Sequence, residues 1–262
     1  MISLTTLDPS ALPEAPRRLM RYVLVYCHSG SLVMTVDHRD FTLQPGDVIT
    51  ITSGQIHHIR ENHQAKGYLL EFTLDFFCKD DKDIELIFHN GLFCHFAMNE
   101  VIPVGPEVLA AQLALIQEEI TGQPYQYLTS VHARITLILV AINRAKVQRG
   151  DEIWKPDALF LKFLEAVRDH FEHNYTLKEL AGLLGTTEAK LNELARLHAG
   201  KTAQHVIYGL VTSEAKRLLT YGDLTVKEVA YKLGFNDPFY FSNFFKKQAQ
   251  LSPKQYKEQY AI

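Results

Sequence analysis

The chain has 262 residues, 47% of them hydrophobic and 22% charged, with a formal net charge of −3. That balance is ordinary for a globular protein, and the length allows two domains with cores of their own. No apolar run approaches the ~20 residues of a membrane span. The N-terminus lacks a basic start followed by an apolar stretch, so no signal peptide is expected and a cytoplasmic setting is. Cys27, Cys78 and Cys94 are odd in number and without metal-ligand spacing, which fits free thiols in a reducing compartment.

In chain order, β character comes first. Segments 22–26, 31–36, 48–52 and 68–73 are short strand-like runs at roughly ten-residue spacing, punctuated by Gly30, Pro45-Gly46 and Ser53-Gly54. Closely spaced strands with such turns predict a sandwich or small barrel. Beyond Pro106 the period changes to helical. Leu109, Leu113, Ile116 and Ile120 share one face, Gly122 and Pro124 break the run, and Leu128, Val131, Ile135, Ile138 and Ile142 line a second helix over 125–148. Two such helices need a partner surface, either the β domain or a second chain. The polar stretch 148–152 reads as an exposed linker.

From residue 157 onward the pattern predicts helices at 157–172, 176–184, 187–199, 202–220, 225–233, 237–248 and 252–259. Residues 176–185, Thr-Leu-Lys-Glu-Leu-Ala-Gly-Leu-Leu-Gly, return 49 positions later as Thr-Val-Lys-Glu-Val-Ala-Tyr-Lys-Leu-Gly. Each copy is a short helix with a Thr N-cap, a Glu three residues on and a Gly stop. Each is followed by a polar cap and a second amphipathic helix, the layout of a helix-turn-helix unit whose second helix can enter a DNA major groove. The segment 202–220 joins the two units. At ~1.5 Å per residue its 19 residues span about 28 Å, close to the ~34 Å turn of duplex DNA. Charge follows this division: residues 157–262 hold 14 Lys/Arg against 12 Asp/Glu, and residues 1–156 hold 13 against 18. The basic excess is small, so DNA affinity has to come from the placement of charge.

In the first recognition helix Leu191, Leu194 and Ala195 form the inward stripe, while Lys190, Asn192, Glu193 and Arg196 lie outward. In the second, Phe241, Phe244 and Phe245 point inward, and Ser242, Asn243, Lys246 and Lys247 point away, with Asn236 in the preceding turn. The run Gly234-Phe235-Asn236-Asp237-Pro238-Phe239-Tyr240-Phe241-Ser242-Asn243-Phe244-Phe245-Lys246-Lys247, then Leu251-Ser252-Pro253-Lys254-Gln255-Tyr256, resembles the AraC/XylS family of transcription regulators. Residues 214–219, Glu-Ala-Lys-Arg-Leu-Leu, resemble that family's linker helix. The resemblance covers roughly 160–260. Four positions depart from the family pattern: Glu193 and Val211 stand where Arg is usual, Ala195 replaces an aromatic core residue, and Gln250 replaces Gly. A carboxylate in a groove cannot bind phosphate, though it can accept from a cytosine amino group.

The run Phe41-Thr42-Leu43-Gln44-Pro45-Gly46-Asp47-Val48, then Ser53-Gly54-Gln55-Ile56-His57, is similar to the cupin-like sensor domain often placed before such DNA-binding domains. Enzymatic cupins hold a metal with a His-x-His pair, a Glu and a later His. Here residues 31–36 offer only Ser31 and Thr35, and His57 alone matches the later His, with His28, His38 and His63 elsewhere in the β region. One imidazole does not make a metal site, so no metal and no cofactor are expected. His57, Tyr26 and Glu71 are the candidate lining of a small-molecule pocket.

Together these readings give an α+β chain: a cupin-like β-barrel over 1–104, a two-helix dimerisation segment over 105–150, and an all-α domain with two helix-turn-helix motifs over 157–262. The resemblance implies a non-enzymatic, cytoplasmic, homodimeric transcription regulator, expected to act as an activator, that binds double-stranded DNA. It further implies an unknown small-molecule effector and RNA polymerase as a further candidate partner, with no membrane role. Lys190, Asn192, Glu193, Arg196, Asn236, Ser242, Asn243, Lys246 and Lys247 are the candidate DNA-binding residues. Two rivals stay open: a metal-dependent cupin enzyme fused to a helical domain, and an adaptor that has lost DNA binding.

Overall fold

The computed structural model describes residues 1–7, 15–93, 99–151 and 157–260. Cys94 and the end of the expected linker at residue 152 lie outside them. The chain divides into two compact units, Met1–Lys155 and Pro156–Ile262.

Among the described residues the first unit is built on a seven-stranded antiparallel sheet: β1 (Ile2–Leu7), β2 (Arg17–Arg18), β3 (Tyr22–Val36), β4 (Arg39–Leu43), β5 (Asp47–Ile51), β6 (Ile56–Phe72) and β7 (Val101–Pro103). The order is β1-β6-β3-β5-β7, with β2 also on β6 and β4 also on β3. Sequence punctuation predicts a break at Gly30, yet β3 runs through it. The β3–β6 register shifts between Cys27 and Leu32, so the long strands bend at bulges instead of ending. Gly30 sits at φ +69°, and a Cβ there would meet the Gln64 carbonyl oxygen at 2.3 Å. Only glycine fits that bend.

Strand alternation gives the sheet two apolar faces. One carries Val23, Val25, Cys27, Leu32, Met34 and Ile59, all buried in a single cluster. The other carries Tyr22, Leu24 and Phe72, and an aromatic layer packs on it: Tyr22 and Phe72 each meet Phe93 edge-on at 5.2 and 5.7 Å. Helices α1 (Leu74–Phe77) and α2 (Asp81–Phe88) follow β6, and α3 (Ala110–Gly122) and α4 (Tyr127–Gln148) form a hairpin. His132 on α4 stacks on Phe77 at 4.9 Å, with its Nε2 2.8 Å from the Phe77 carbonyl oxygen. Leu113, Ile116, Val131, Ile135 and Ile138 are all 0% exposed. The face that the sequence assigns to dimerisation is therefore already covered within its own unit. Cys27 is a buried thiol whose pKa is pushed up to about 11, chiefly by burial.

The described residues of the second unit form helices and their connections: α5 (Ala158–Asp169), α6 (Leu177–Leu183), α7 (Glu188–Ala199), α8 (Ala203–Tyr221), α9 (Val226–Lys232), α10 (Pro238–Ala249) and α11 (Pro253–Tyr260). Both expected capping boxes form. The Glu179 carboxylate accepts the Thr176 N–H at 2.7 Å and the Glu179 N–H donates to Thr176 Oγ1 at 3.3 Å; Thr225 and Glu228 repeat this at 2.7 and 3.2 Å. Gly185 and Gly234 stop these helices at φ +62° and +71°. The Ser-Pro-Lys-Gln-Tyr end has a packing role. Ser252 Oγ accepts from the Gln255 N–H at 3.2 Å, and buried Tyr256 meets Phe245 edge-on at 5.5 Å, so α11 locks onto the second unit's core.

No helix among the described residues is long and apolar enough to cross a membrane. The expected α+β class, β-rich at the N-terminus and all-α at the C-terminus, is the observed one.

Candidate nucleic-acid interface

The two second helices, α7 and α10, are positioned alike. Thr187 caps α7 by accepting the Lys190 N–H at 3.2 Å. Asp237 caps α10 by accepting the Phe239 N–H at 2.8 Å, with Pro238 in the first turn, where its missing N–H costs nothing. Leu191, Leu194 and Ala195 bury one face of α7, and Phe241 and Phe245 bury one face of α10. Phe244, expected inward, is only half-buried, meeting Tyr208 of α8 at 5.4 Å and Phe235 at 5.3 Å.

The outward faces differ in what they leave available. On α7, Lys190 Nζ donates to Glu193 Oε1 at 2.8 Å, and that partner raises the lysine's pKa, so the two charges neutralise each other. Asn192 is only half-exposed, and its amide is occupied at both ends. Its Nδ2 donates to the Glu188 carbonyl at 3.0 Å and its Oδ1 accepts the Ala203 N–H at 3.1 Å, which helps cap α8. As placed, Asn192 serves the joint between α7 and α8 and is not free to reach a base edge, which corrects its expected role. Arg196 stays exposed.

On α10, Asn243, Lys246 and Lys247 are exposed, as is Asn236 in the turn. Ser242 donates to the Pro238 carbonyl at 2.8 Å, a back-bond that ties up its proton while leaving oxygen lone pairs. Two further residues belong to this face and are missing from the sequence reading. Phe239 and Tyr240 are 79% and 72% exposed at the start of α10. The period that buries Phe241 and Phe245 already places positions 239 and 240 outside, so the signal was present.

The three candidate pocket residues of the first unit do not stay together. His57 and Glu71 lie opposite Val36 and Val23 of β3 in the register, on the face of the buried aliphatic cluster. Arg17 pairs in register with His57 and reaches Glu71 Oε1 at 3.5 Å, and Arg21 donates to Glu71 Oε2 at 2.9 Å. Tyr26 belongs to the opposite face, because its position differs in parity. Its hydroxyl donates to the carbonyls of Gly105 (3.2 Å) and Pro106, pinning the segment before α3. Burial pushes its pKa up to about 12. Tyr26 is a structural pin and not part of a pocket with His57.

His57 is 1% exposed. Its Nδ1 lies 3.2 Å from the Gln55 carbonyl oxygen, while its buried Nε2 has no hydrogen-bond partner among the described residues. Burial, helped by nearby Arg17, pushes its pKa down to about 4 from 6.5, against the Gln55 bond and the charges of Glu71 and Asp37. The unfolded chain therefore binds more protons between these two values. Stability should rise with pH across 4 to 6.5 and be complete above that window. At ~1.4 kcal/mol per pH unit the effect is at most roughly 3 kcal/mol. Urea melts of the full chain at several pH values should show this slope, and His57→Gln should flatten it. An unchanged slope in the variant would assign it to another group.

Two family models match the chain: a helix-turn-helix domain over residues 180–259 and a cupin domain over residues 4–72. The HTH-type transcriptional activator RhaS of Enterobacter sp. (strain 638) is 26% identical over 121 residues, which is 46% of this chain and 43% of that protein. Its namesake in Salmonella paratyphi B matches to the same extent. The chain thus spans less than half the length of these curated relatives. The C-terminal domain of AraT, a response regulator from Geobacillus stearothermophilus, is 26% identical, covering 40% of this chain and 87% of that one at a TM-score of 0.38. Unsaturated fatty acid-bound ToxT from Vibrio cholerae is 15% identical, covering 98% and 94% at a TM-score of 0.42.

Fold and matches define a two-part protein, a cupin domain followed by a tandem helix-turn-helix domain. Its helical half carries the matched helix-turn-helix domain and is similar to the HTH-type transcriptional activators named above.

Proposed function

We propose that this chain is a sequence-specific transcription regulator that reads double-stranded DNA with α7 and α10. The observation that carries the reading is the pair of helix-turn-helix units, each opened by a complete capping box and joined by the 19-residue α8. At ~1.5 Å per residue α8 is about 28 Å long, which suits two recognition helices in successive major grooves of one DNA face. Arg196, Lys246 and Lys247 supply phosphate contacts, and Asn243 with Phe239 reads bases. The amide of Asn243 can pair bidentately with adenine, and an aromatic ring can pack on a thymine methyl.

The effector is a small molecule bound at the His57–Arg17–Glu71 side of the sheet, where the buried Nε2 of His57 offers an unused polar atom. Regulation is cytoplasmic and non-catalytic, with RNA polymerase a further partner. The homodimer forms on the outer side of α4. There Ala133, Leu137, Val140, Arg144 and Val147 follow a four-three spacing, and Leu137 and Val147 are 54% and 43% exposed. A coiled-coil seam has that spacing.

The adaptor reading draws support from one contact, the Lys190–Glu193 pair that cancels charge on α7. Selection of DNA by wild type and variants separates the two. Asn243→Ala should relax preference at one base position, a loss of ~1–3 kcal/mol of discrimination. Phe239→Ala should weaken preference for thymine nearby, and Glu193→Ala should tighten nonspecific binding by releasing Lys190. Unchanged selection in both α10 variants would remove that helix from base reading, and no selection by the wild type would favour the adaptor.

A further inference from the structure

Between α5 and α6 the chain makes a 3₁₀ turn, Phe171–His173, entered from His170. Three residues per turn bring side chains at i and i+3 into line, so His170 and His173 stand side by side with Glu172 next to them. One ligand atom from each of the three residues lies within 4.8 Å of the other two. His173 Nε2 and Glu172 Oε1 are 3.4 Å apart.

We propose that His170, Glu172 and His173 form a binding site for one divalent transition-metal ion of the zinc class. Bonds of about 2.0–2.2 Å to zinc put tetrahedral ligands roughly 3.3–3.5 Å apart, which the His173–Glu172 pair already meets. Small side-chain rotations close the remaining separations. Two imidazoles and one carboxylate suit zinc, copper or nickel, whereas magnesium and calcium take oxygen-only sets. Three protein ligands leave a fourth position for water.

The surroundings favour a chelate over a chance surface pair. Tyr175 stacks on His173 at 4.9 Å and 20° and meets His170 at 5.6 Å, so one ring braces both imidazoles. The ligands span four residues, so bringing them together costs little loop entropy. An exposed ion pair between Glu172 and His173 would add little by itself and would need neither His170 nor the brace.

The turn also touches the second helix-turn-helix unit. A Cβ at Gly234 would lie 2.5 Å from the Glu172 carbonyl oxygen and 2.8 Å from Asn174, so the Gly234 stop rests directly on the ligand-bearing segment. A bound ion stiffens that support, which couples metal occupancy to the packing of α9. The site stands on geometry independent of the DNA-binding reading.

The test is calorimetric titration of the tag-free, full-length chain with zinc chloride. The wild type should take up an equivalent of zinc that the His170→Ala/His173→Ala double variant does not. Glu172→Gln should bind it at least about tenfold more weakly, since loss of an outer-shell partner alone costs ~10–100-fold. Circular dichroism should be unchanged in all three. Should the double variant fail to fold, the exposed Glu172→Gln substitution carries the test alone. Equal zinc binding by wild type and variants, or none by the wild type, overturns the site. Zinc should also slow amide exchange over 226–234 in the wild type only, and an unchanged rate at saturation overturns the bracing role.

Discussion

Replacing Gly234 by Ala should destabilise the second unit by several kcal/mol, whereas the same change at Gly185 should cost only about 1–2 kcal/mol, the left-handed strain of an L-residue. The two glycines hold equivalent places and similar angles, φ +71° and +62°. What differs is the space around them. A Cβ at Gly185 meets nothing within 4 Å, but at Gly234 it lands on the Glu172 carbonyl oxygen at 2.5 Å and on Asn174 at 2.8 Å. Those neighbours are mainly backbone and cannot rotate away. The loss of unfolded-state entropy that favours Ala, about 0.4–1 kcal/mol, applies to both and cancels in the comparison. Denaturant melts of the two variants give the answer, and DNA binding should fall with stability only in Gly234→Ala. Equal costs would mean that the second turn does not rest on the 171–174 segment.

Leu113→Asp should unfold the first unit. Leu113 is 0% exposed between α3 and the elements it covers. Truncating such a residue to Ala costs about 2–5 kcal/mol, and an unpaired carboxyl adds a desolvation cost. Domain stabilities of 5–15 kcal/mol leave little margin for that. Reading 105–150 as a dimerisation segment would instead expect a folded monomer from this change, because helical periodicity marks which face is apolar and not what covers it. Leu137→Asp is the variant that should give a folded monomer. Its site is 54% exposed, where substitutions stay near ±0.5 kcal/mol. Circular dichroism with light scattering distinguishes these outcomes. A folded, monomeric Leu113→Asp would restore the original assignment, and an unaffected dimer in Leu137→Asp would remove the α4 seam.

What the sequence made legible was local. The capping boxes at Thr176 and Thr225, the glycine stops and the inward stripes of α7 and α10 all depend on residues within one or two turns of each other. They appear in the structure where the sequence places them, apart from Phe244, which is only half-buried. Long-range relations were not legible. β3 and β6 run 15 and 17 residues because bulges absorb Gly30 and its surroundings, and a punctuation rule reads that glycine as a break. Tyr26 and His57 fall on opposite faces, but that follows from the β3–β6 register and its bulges, and neither strand says that Tyr26 would meet Gly105 and Pro106 some 80 residues away. Asn192 looks outward on a helical wheel. It caps α8 instead, through a contact 11 residues distant that no single-helix pattern contains. Phe239 and Tyr240 were open to the same period that buried their neighbours.

Hydroxyl-radical footprinting of the full-length chain on a selected duplex tests the tandem reading most directly. Two recognition helices joined by α8 should protect two backbone patches on one face of the duplex, about one helical turn or 10–10.5 base pairs apart. Both should fade together as salt rises and counterion release weakens the phosphate contacts. A single protected patch, or none at low salt, would contradict tandem reading of DNA by α7 and α10.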